Sequence, residues 1–147
     1  MKRLTLLFFG FSVFTSAFAQ TTWESVYAVL QTNCGSCHVA GHTSGLDLSA
    51  SIGEVYDNLY DFTPSNATSA ANGYKRVFPG EPYKSFLFSK VNNGLAWDVN
   101  LEAGEGDACP QGAAPLNNKD IELIRQWIMY GAFESDFAVD IPLINEF

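Results

Sequence analysis

The chain is short of several residue types that mark large classes of protein. Basic residues are scarce: 8 Lys and Arg stand against 16 Asp and Glu, for a net charge of −8. Such a surface repels nucleic acid and anionic lipid and favours a basic or dipolar partner. Acidity of this kind also keeps an exported protein soluble. Cysteine is sparse and odd in number, with Cys34, Cys37 and Cys109 only, which argues against a disulfide framework. Methionine is confined to Met1 and Met129. There is one long apolar run, Leu4 to Phe14. It is too short to span a bilayer comfortably and no second run follows, so no membrane helix is expected. No internal repeat, low-complexity block, pair of catalytic carboxylates or nucleophile–base constellation stands out.

The apolar run has a different reading. Lys2 and Arg3 precede it, and Ala17-Phe18-Ala19 then supplies small residues at the two positions a signal peptidase reads. Residues 1–19 are expected to be a secretory signal peptide, cleaved after Ala19. No cysteine sits at that point, which argues against a lipoprotein. Residues 20–147 are then one domain's worth of chain, large enough for a single core. That part keeps 6 basic and 16 acidic residues, a net charge of −10. The expected location is the periplasm or the exterior of a bacterium.

The most informative stretch is Cys34-Gly35-Ser36-Cys37-His38. Two cysteines separated by two residues and followed by histidine form the attachment sequence for a c-type haem. Each thiol adds to one vinyl group of the porphyrin, and the histidine can bind the iron through a ring nitrogen. Export strengthens the reading, because haem c is attached outside the cytoplasm. Two other uses of a cysteine pair fit less well. A thioredoxin-like redox pair wants a strand–loop–helix context. A zinc site wants a second close pair of ligands, and Cys109 stands far off alone.

The surrounding pattern is mostly helix plus loop. Thr21 and Glu24 have capping-box spacing, and Trp23, Val26, Tyr27 and Leu30 recur on one helical face, predicting a helix that ends near Asn33. Ser51 and Glu54 open a second helix through about Leu59, with Ile52, Val55, Tyr56 and Leu59 as its stripe. The Ser/Asn/Ala/Thr-rich stretch 61–73 reads as a loop. Val77 to Gly80 reads as a short extended piece, and Pro82 to Asn92 as one helix, ended by Asn93-Gly94. Leu95 to Pro115 is long and irregular, the mark of a functional or disordered segment. Asn117 or Asn118 caps a last helix whose apolar face is Ile121, Ile124, Trp127 and Ile128, with Gly131 past its end. Ala132 to Phe147 reads as an extended tail, because Pro142 opposes helix.

Taken together, the chain resembles the small monohaem c-type cytochromes. It is most similar to the cytochrome c-like domains common in planctomycetes and related bacteria. The residues carrying the resemblance are Cys34 to His38, Gly45-Leu46-Asp47-Leu48-Ser49, and Ile121 to Ile128 with Gly131-Ala132. They cover both ends of the mature chain but not its middle. The resemblance implies an all-α, cytochrome c-like fold: few helices, long loops, one covalently bound haem. It implies that the first and last helices cross beside the haem and that Trp127 lies near the haem or at that crossing. The apolar spacing alone fits a plain core role for Trp127 equally well.

In that family the second axial ligand is usually a methionine followed by proline, in the loop before the last helix. Here Cys109-Pro110 stands at the matching place. Three readings stay open. Cys109 binds iron, and a thiolate there stabilises Fe(III) and lowers the potential. Alternatively no side chain binds, leaving an open or water-filled site. Or another group swings in: Met129, His42, or a nearby Lys or Tyr. His42 follows His38 closely enough to share its side of the ring. The expected function is electron transfer by one haem c tethered through Cys34 and Cys37 and ligated by His38, with a redox partner that presents a basic docking surface. The alternative is a haem enzyme or sensor with a labile or thiolate-ligated sixth site, acting on peroxide, a sulfur compound or a gas. A pure carrier needs no substrate pocket, and the carrier is the expected class.

Overall fold

A computed structural model describes residues 22–135. The expected signal peptide, the Thr21 end of the first capping box and residues 136–147 of the expected tail lie outside them. Among the described residues the structure is all-α. Five helices, a 3₁₀ turn and long loops make up these residues, and the only β-type pairing among them is the isolated bridges Tyr60–Val77 and Lys75–Ser85. Among the described residues no helix is long and apolar enough to cross a membrane.

Helix α1, Thr22–Cys34, follows the apolar spacing of its sequence and buries Trp23, Val26 and Leu30. Helix α2, Ile52–Leu59, begins with the expected capping box: the Ser51 hydroxyl accepts from the Glu54 amide, and the Glu54 carboxylate accepts from the Ser51 amide. This satisfies two backbone donors that a helix start leaves orphaned.

Segment 61–73 is not wholly loop. Ala67–Ala71 forms a short helix, α3, because the Asn66 side chain accepts from the Ser69 amide and caps it. Five residues leave no apolar periodicity to read, so the cap was the available signal. The expected single helix over 82–92 is also broken. Pro82–Lys84 is a 3₁₀ turn, Ser85 is extended, and α4 starts afresh at Phe86–Val91. The break follows from cross-chain pairing. The Phe86 amide donates to the Lys75 carbonyl at 2.7 Å and the Leu87 amide to that of Arg76 at 2.9 Å. The buried Ser85 hydroxyl accepts from the Phe78 amide at 2.8 Å. Those bonds take the place of helical ones.

Helix α5, Asn118–Met129, is capped by Asn117, whose side chain accepts from the Asp120 amide. Tyr130 is its C-cap, and Gly131 follows with φ 106°, a conformation that glycine adopts without a Cβ clash. Ile121, Ile124, Trp127 and Ile128 are buried as their spacing predicts. Helix α5 packs against α1, α4 and the 3₁₀ turn. At the α1–α5 crossing Trp23 stacks on Trp127, with centroids 5.1 Å apart and planes 24° apart. Tyr56 of α2 meets Trp23 edge-on at 5.5 Å and donates to the Ala132 carbonyl at 2.9 Å. This aromatic cluster joins three helices, and truncating a tryptophan in such a core typically costs about 3–5 kcal/mol.

Candidate cofactor site

The end of α1 delivers Cys34 into a tight turn. The amides of Cys37 and His38 both donate to the Cys34 carbonyl, at 3.1 and 3.0 Å. Glycine at 35 is required by packing: a Cβ there would sit 2.5 Å from the Gln31 carbonyl oxygen. The turn is then pinned from the far side, because the Leu48 amide donates to the His38 carbonyl at 2.7 Å and Gln31 donates to the Leu48 carbonyl. Cys34, Cys37 and His38 are thereby presented together.

They face a cavity of about 540 Å³, within the usual range of roughly 300–1,000 Å³ for cofactor and ligand sites. Leu30, Leu48, Leu59, Leu87 and Val91 form its apolar side. Cys109 and Pro110, from the long irregular segment, belong to the same lining. All three thiols are free. Burial first, then the neighbouring Cys109 and Cys37, push the Cys34 thiol up to about 11. Burial also raises Cys109, against the pull of the Lys90 ammonium. These two groups are protonated thiols at neutral pH. A redox-active cysteine pair depends on a depressed thiol, so the electrostatics oppose the thioredoxin-like reading. No group of three or more His, Cys, Asp and Glu side chains arranged for a bare metal ion occurs among the described residues.

His38 is half-buried, and burial chiefly, with His42 second, lowers its pKa and keeps the ring neutral. The His42 ring lies against it, 4.4 Å between centroids. Ser44 stands between them: its hydroxyl is 3.1 Å from His38 Nδ1 and 2.7 Å from His42 Nδ1. His42 and Ser44 also line the cavity.

Two cations complete the lining. Arg76 is only 7% exposed. Its guanidinium donates to the carbonyls of Ser44 at 2.6 Å and Asn58 at 2.9 Å and lies over the Phe62 ring. Lys90 donates to the carbonyls of Glu105 and Asp107, at 2.6 and 2.8 Å. Among the described residues neither is salt-bridged to a carboxylate. Arg76 is a buried cation without a counter-ion, which is costly, so its part of the cavity suits a ligand that brings negative charge.

Sequence reasoning did not single out Arg76, Lys90 or Ser44. Arg76 and Lys90 are two of only six basic residues beyond the expected signal peptide, and that scarcity was the available signal. Two other residues considered for the site are elsewhere. Trp127 is at the helix crossing, where its indole donates to the Phe133 carbonyl at 3.0 Å, and it does not line the cavity. Met129 is exposed on α5 beside Arg125 and does not line the cavity either.

A haem fits these residues: thiols for its vinyl edges, a neutral imidazole for its iron, apolar walls for its faces and unpaired cations for its two propionates. No protein-family model matches the chain, and no curated protein or solved structure matches it.

Proposed function

We propose that this chain is an exported single-haem c-type cytochrome that transfers electrons. The observation that carries the reading is the convergence of Cys34, Cys37 and His38 on one cavity of cofactor size whose lining also holds Cys109. When bound, the haem supplies one-electron chemistry between Fe(III) and Fe(II). The protein's part is to tether, ligate and shield. Cys34 and Cys37 would tether the porphyrin edge, and His38 would offer a ring nitrogen to the iron. Leu30, Leu48 and Val91 would keep water from the ring, and Arg76 and Lys90 would compensate the propionates. The acidic surface favours a salt-dependent encounter with a basic redox partner.

For the sixth position the cavity lining favours Cys109 over Met129. The raised pKa of Cys109 adds a condition. Burial holds the proton on Cys109, so its sulfur would bind iron only with loss of that proton, and acid would oppose such ligation. The competing class is a haem with a labile sixth site that reacts with peroxide, a sulfur compound or a gas.

Absorption spectra of the purified protein, oxidised and reduced, beside Cys109→Ala, test these readings together. A carrier ligated by Cys109 gives a low-spin oxidised spectrum whose spin state changes in the variant. A high-spin wild-type spectrum altered by cyanide or CO supports the labile site. A protein isolated with no haem sinks the proposal.

A further inference from the structure

The loop after His38 contains a hydrogen-bond chain whose proton positions can be deduced. The Ser44 amide donates to His42 Nδ1 at 3.2 Å. A backbone amide can only donate, so His42 Nδ1 carries a lone pair and the neutral ring has its proton on Nε2. The Ser44 hydroxyl is 2.7 Å from the same Nδ1 and therefore gives its single proton there. With that proton committed, the hydroxyl oxygen can only accept. It accepts from the Leu46 amide at 3.2 Å and from His38 Nδ1 at 3.1 Å. His38 Nδ1 therefore bears hydrogen, which leaves the lone pair on Nε2.

Ser44 is itself held in place from outside the loop. Its carbonyl accepts from the Arg76 guanidinium at 2.6 Å and from the Ser65 hydroxyl at 2.9 Å. The loop thus has one position for the hydroxyl, fixed by groups from the segments before α3 and before the 3₁₀ turn. One competitor exists: the Leu46 carbonyl also accepts from the His38 ring.

We propose that Ser44 is a positioning residue that fixes the His38 tautomer with its lone pair on Nε2 and sets how strongly that nitrogen donates to iron. The second half rests on the haem reading above; the first half does not. A partner that accepts from the far ring nitrogen makes a histidine more basic toward a metal, and such partners orient the ring as well. Removing the acceptor weakens donation, destabilises Fe(III) and raises the reduction potential. The carbonyl of Leu46 alone cannot fix His42, so the two-histidine chain belongs to Ser44.

The test uses the full chain as isolated, labelled with ¹⁵N-histidine and reduced, beside Ser44→Ala and Ser44→Thr. Imidazole nitrogen shifts report the tautomers, and redox titration reports the potential. The wild type should show the proton on Nδ1 of His38 and on Nε2 of His42. Ser44→Ala should shift the Fe(III)/Fe(II) equilibrium severalfold toward Fe(II), where a tenfold change corresponds to about 59 mV. Ser44→Thr should restore wild-type values, which a merely structural loss would not. A wild-type His42 with its proton on Nδ1 overturns the proposal, even if Ser44→Ala fails to fold. So does a Ser44→Ala protein with unchanged shifts and potential, which would leave Leu46 as the sole acceptor. A chain isolated without haem ends the functional reading instead. There an Nδ1 proton on His38 that Ser44→Ala loses upholds the tautomer role, and its absence removes it.

Discussion

The cavity has two irregular walls, and they are built by different means. The motif wall, residues 34–48, springs from α1 and is closed by short-range backbone bonds, such as His38 to Cys34 at 3.0 Å and Leu48 to His38 at 2.7 Å. The loop wall, residues 93–115, has sparser backbone bonds, such as Leu95 to Asn92 at 2.9 Å and Glu105 to Glu102 at 3.0 Å. Buried side chains supply much of the rest. The buried Asn92 donates to the carbonyls of Ala96 and Val99, both at 2.8 Å, and accepts from the Ala96 amide at 2.7 Å. The Glu105 carboxylate, 1% exposed, accepts from the Glu102 amide at 2.9 Å and the Ser69 hydroxyl at 3.1 Å. The Cys109 amide donates to the Lys90 carbonyl at 2.8 Å. Buried polar side chains replace secondary structure there, meeting the demand that buried backbone groups be paired. The lesson is that the motif wall is closed chiefly by its own backbone, while the loop wall depends more on a few buried side chains for its shape.

The largest expected effect separates the walls by chemistry. The double substitution Cys34→Ala/Cys37→Ala should abolish covalent haem, because no thiol of the motif wall remains to form a thioether. Cys109→Ala should keep the haem attached and change only its spectrum. Haem staining after denaturing electrophoresis reads both. If Cys109→Ala sheds the haem, or the double variant retains it covalently, the assignment of tethering to one wall fails.

The same contrast explains how much could be read from the chain alone. Helices α1, α2 and α5 were legible because each has apolar residues at helical spacing, and α2 and α5 have a capping residue within the described chain. The motif wall was legible because its spacing is local: five consecutive residues carry the chemistry. Helix α3 was not legible because five residues show no apolar periodicity, and the break at Ser85 was not because it depends on bonds to distant segments. The loop wall was legible as irregular but not as ordered. Asn92 and Glu105 look like ordinary surface residues in sequence, and only the fold buries them. Arg76 escaped for the same reason, as its acceptors are carbonyls 18 and 32 positions away. Cys109 was found by its place before the last helix, not by any local pattern.

Stability should divide along the same line. Asn92→Ala leaves the Ala96 amide and the Val99 carbonyl of the loop wall unpaired, and Glu105→Ala leaves the Glu102 amide and the Ser69 hydroxyl without their carboxylate. Each buried orphan costs about 1–3 kcal/mol, so each variant should show a lower urea midpoint. Ser36→Ala, at an exposed position of the motif wall, should change stability by less than about 0.5 kcal/mol. Equal losses from the two walls would mean that the motif wall also leans on its side chains.

A smaller effect appears at alkaline pH. The Cys34 thiol is ordinarily near 9.0 and reaches about 11 in the folded chain. The folded state therefore disfavours the thiolate relative to the unfolded state. The associated stability is complete below pH 9 and is lost as pH rises through about 11. A tethered Cys34 is a thioether with no proton to lose, so its share of the decline is absent from the haem-loaded protein. Cys109 is raised in the same direction, and it escapes the decline only if iron already holds it as thiolate. Urea midpoints across this window, on haem-loaded wild type and on Cys109→Ala, therefore weigh one wall against the other. A decline in the wild type that disappears in the variant marks Cys109 as an unligated thiol.

The smallest effect is expected at the tip of the loop wall. Trp97 is 87% exposed although it is the largest side chain in its segment. Of its own groups, only its carbonyl is in a hydrogen bond of the loop, accepting from Asn100 at 3.3 Å. The wall's order comes from Asn92, Lys90 and Glu105 beneath it, and hydrophobic burial at the tip adds little. Trp97→Ser should therefore move the urea midpoint by less than about 0.5 kcal/mol in stability, although tryptophans inside the core cost several times that. A loss comparable to that of Asn92→Ala would show the indole packing against the protein in solution. The loop wall would then be held from its surface as well as from below, and its contrast with the motif wall would narrow to chemistry alone.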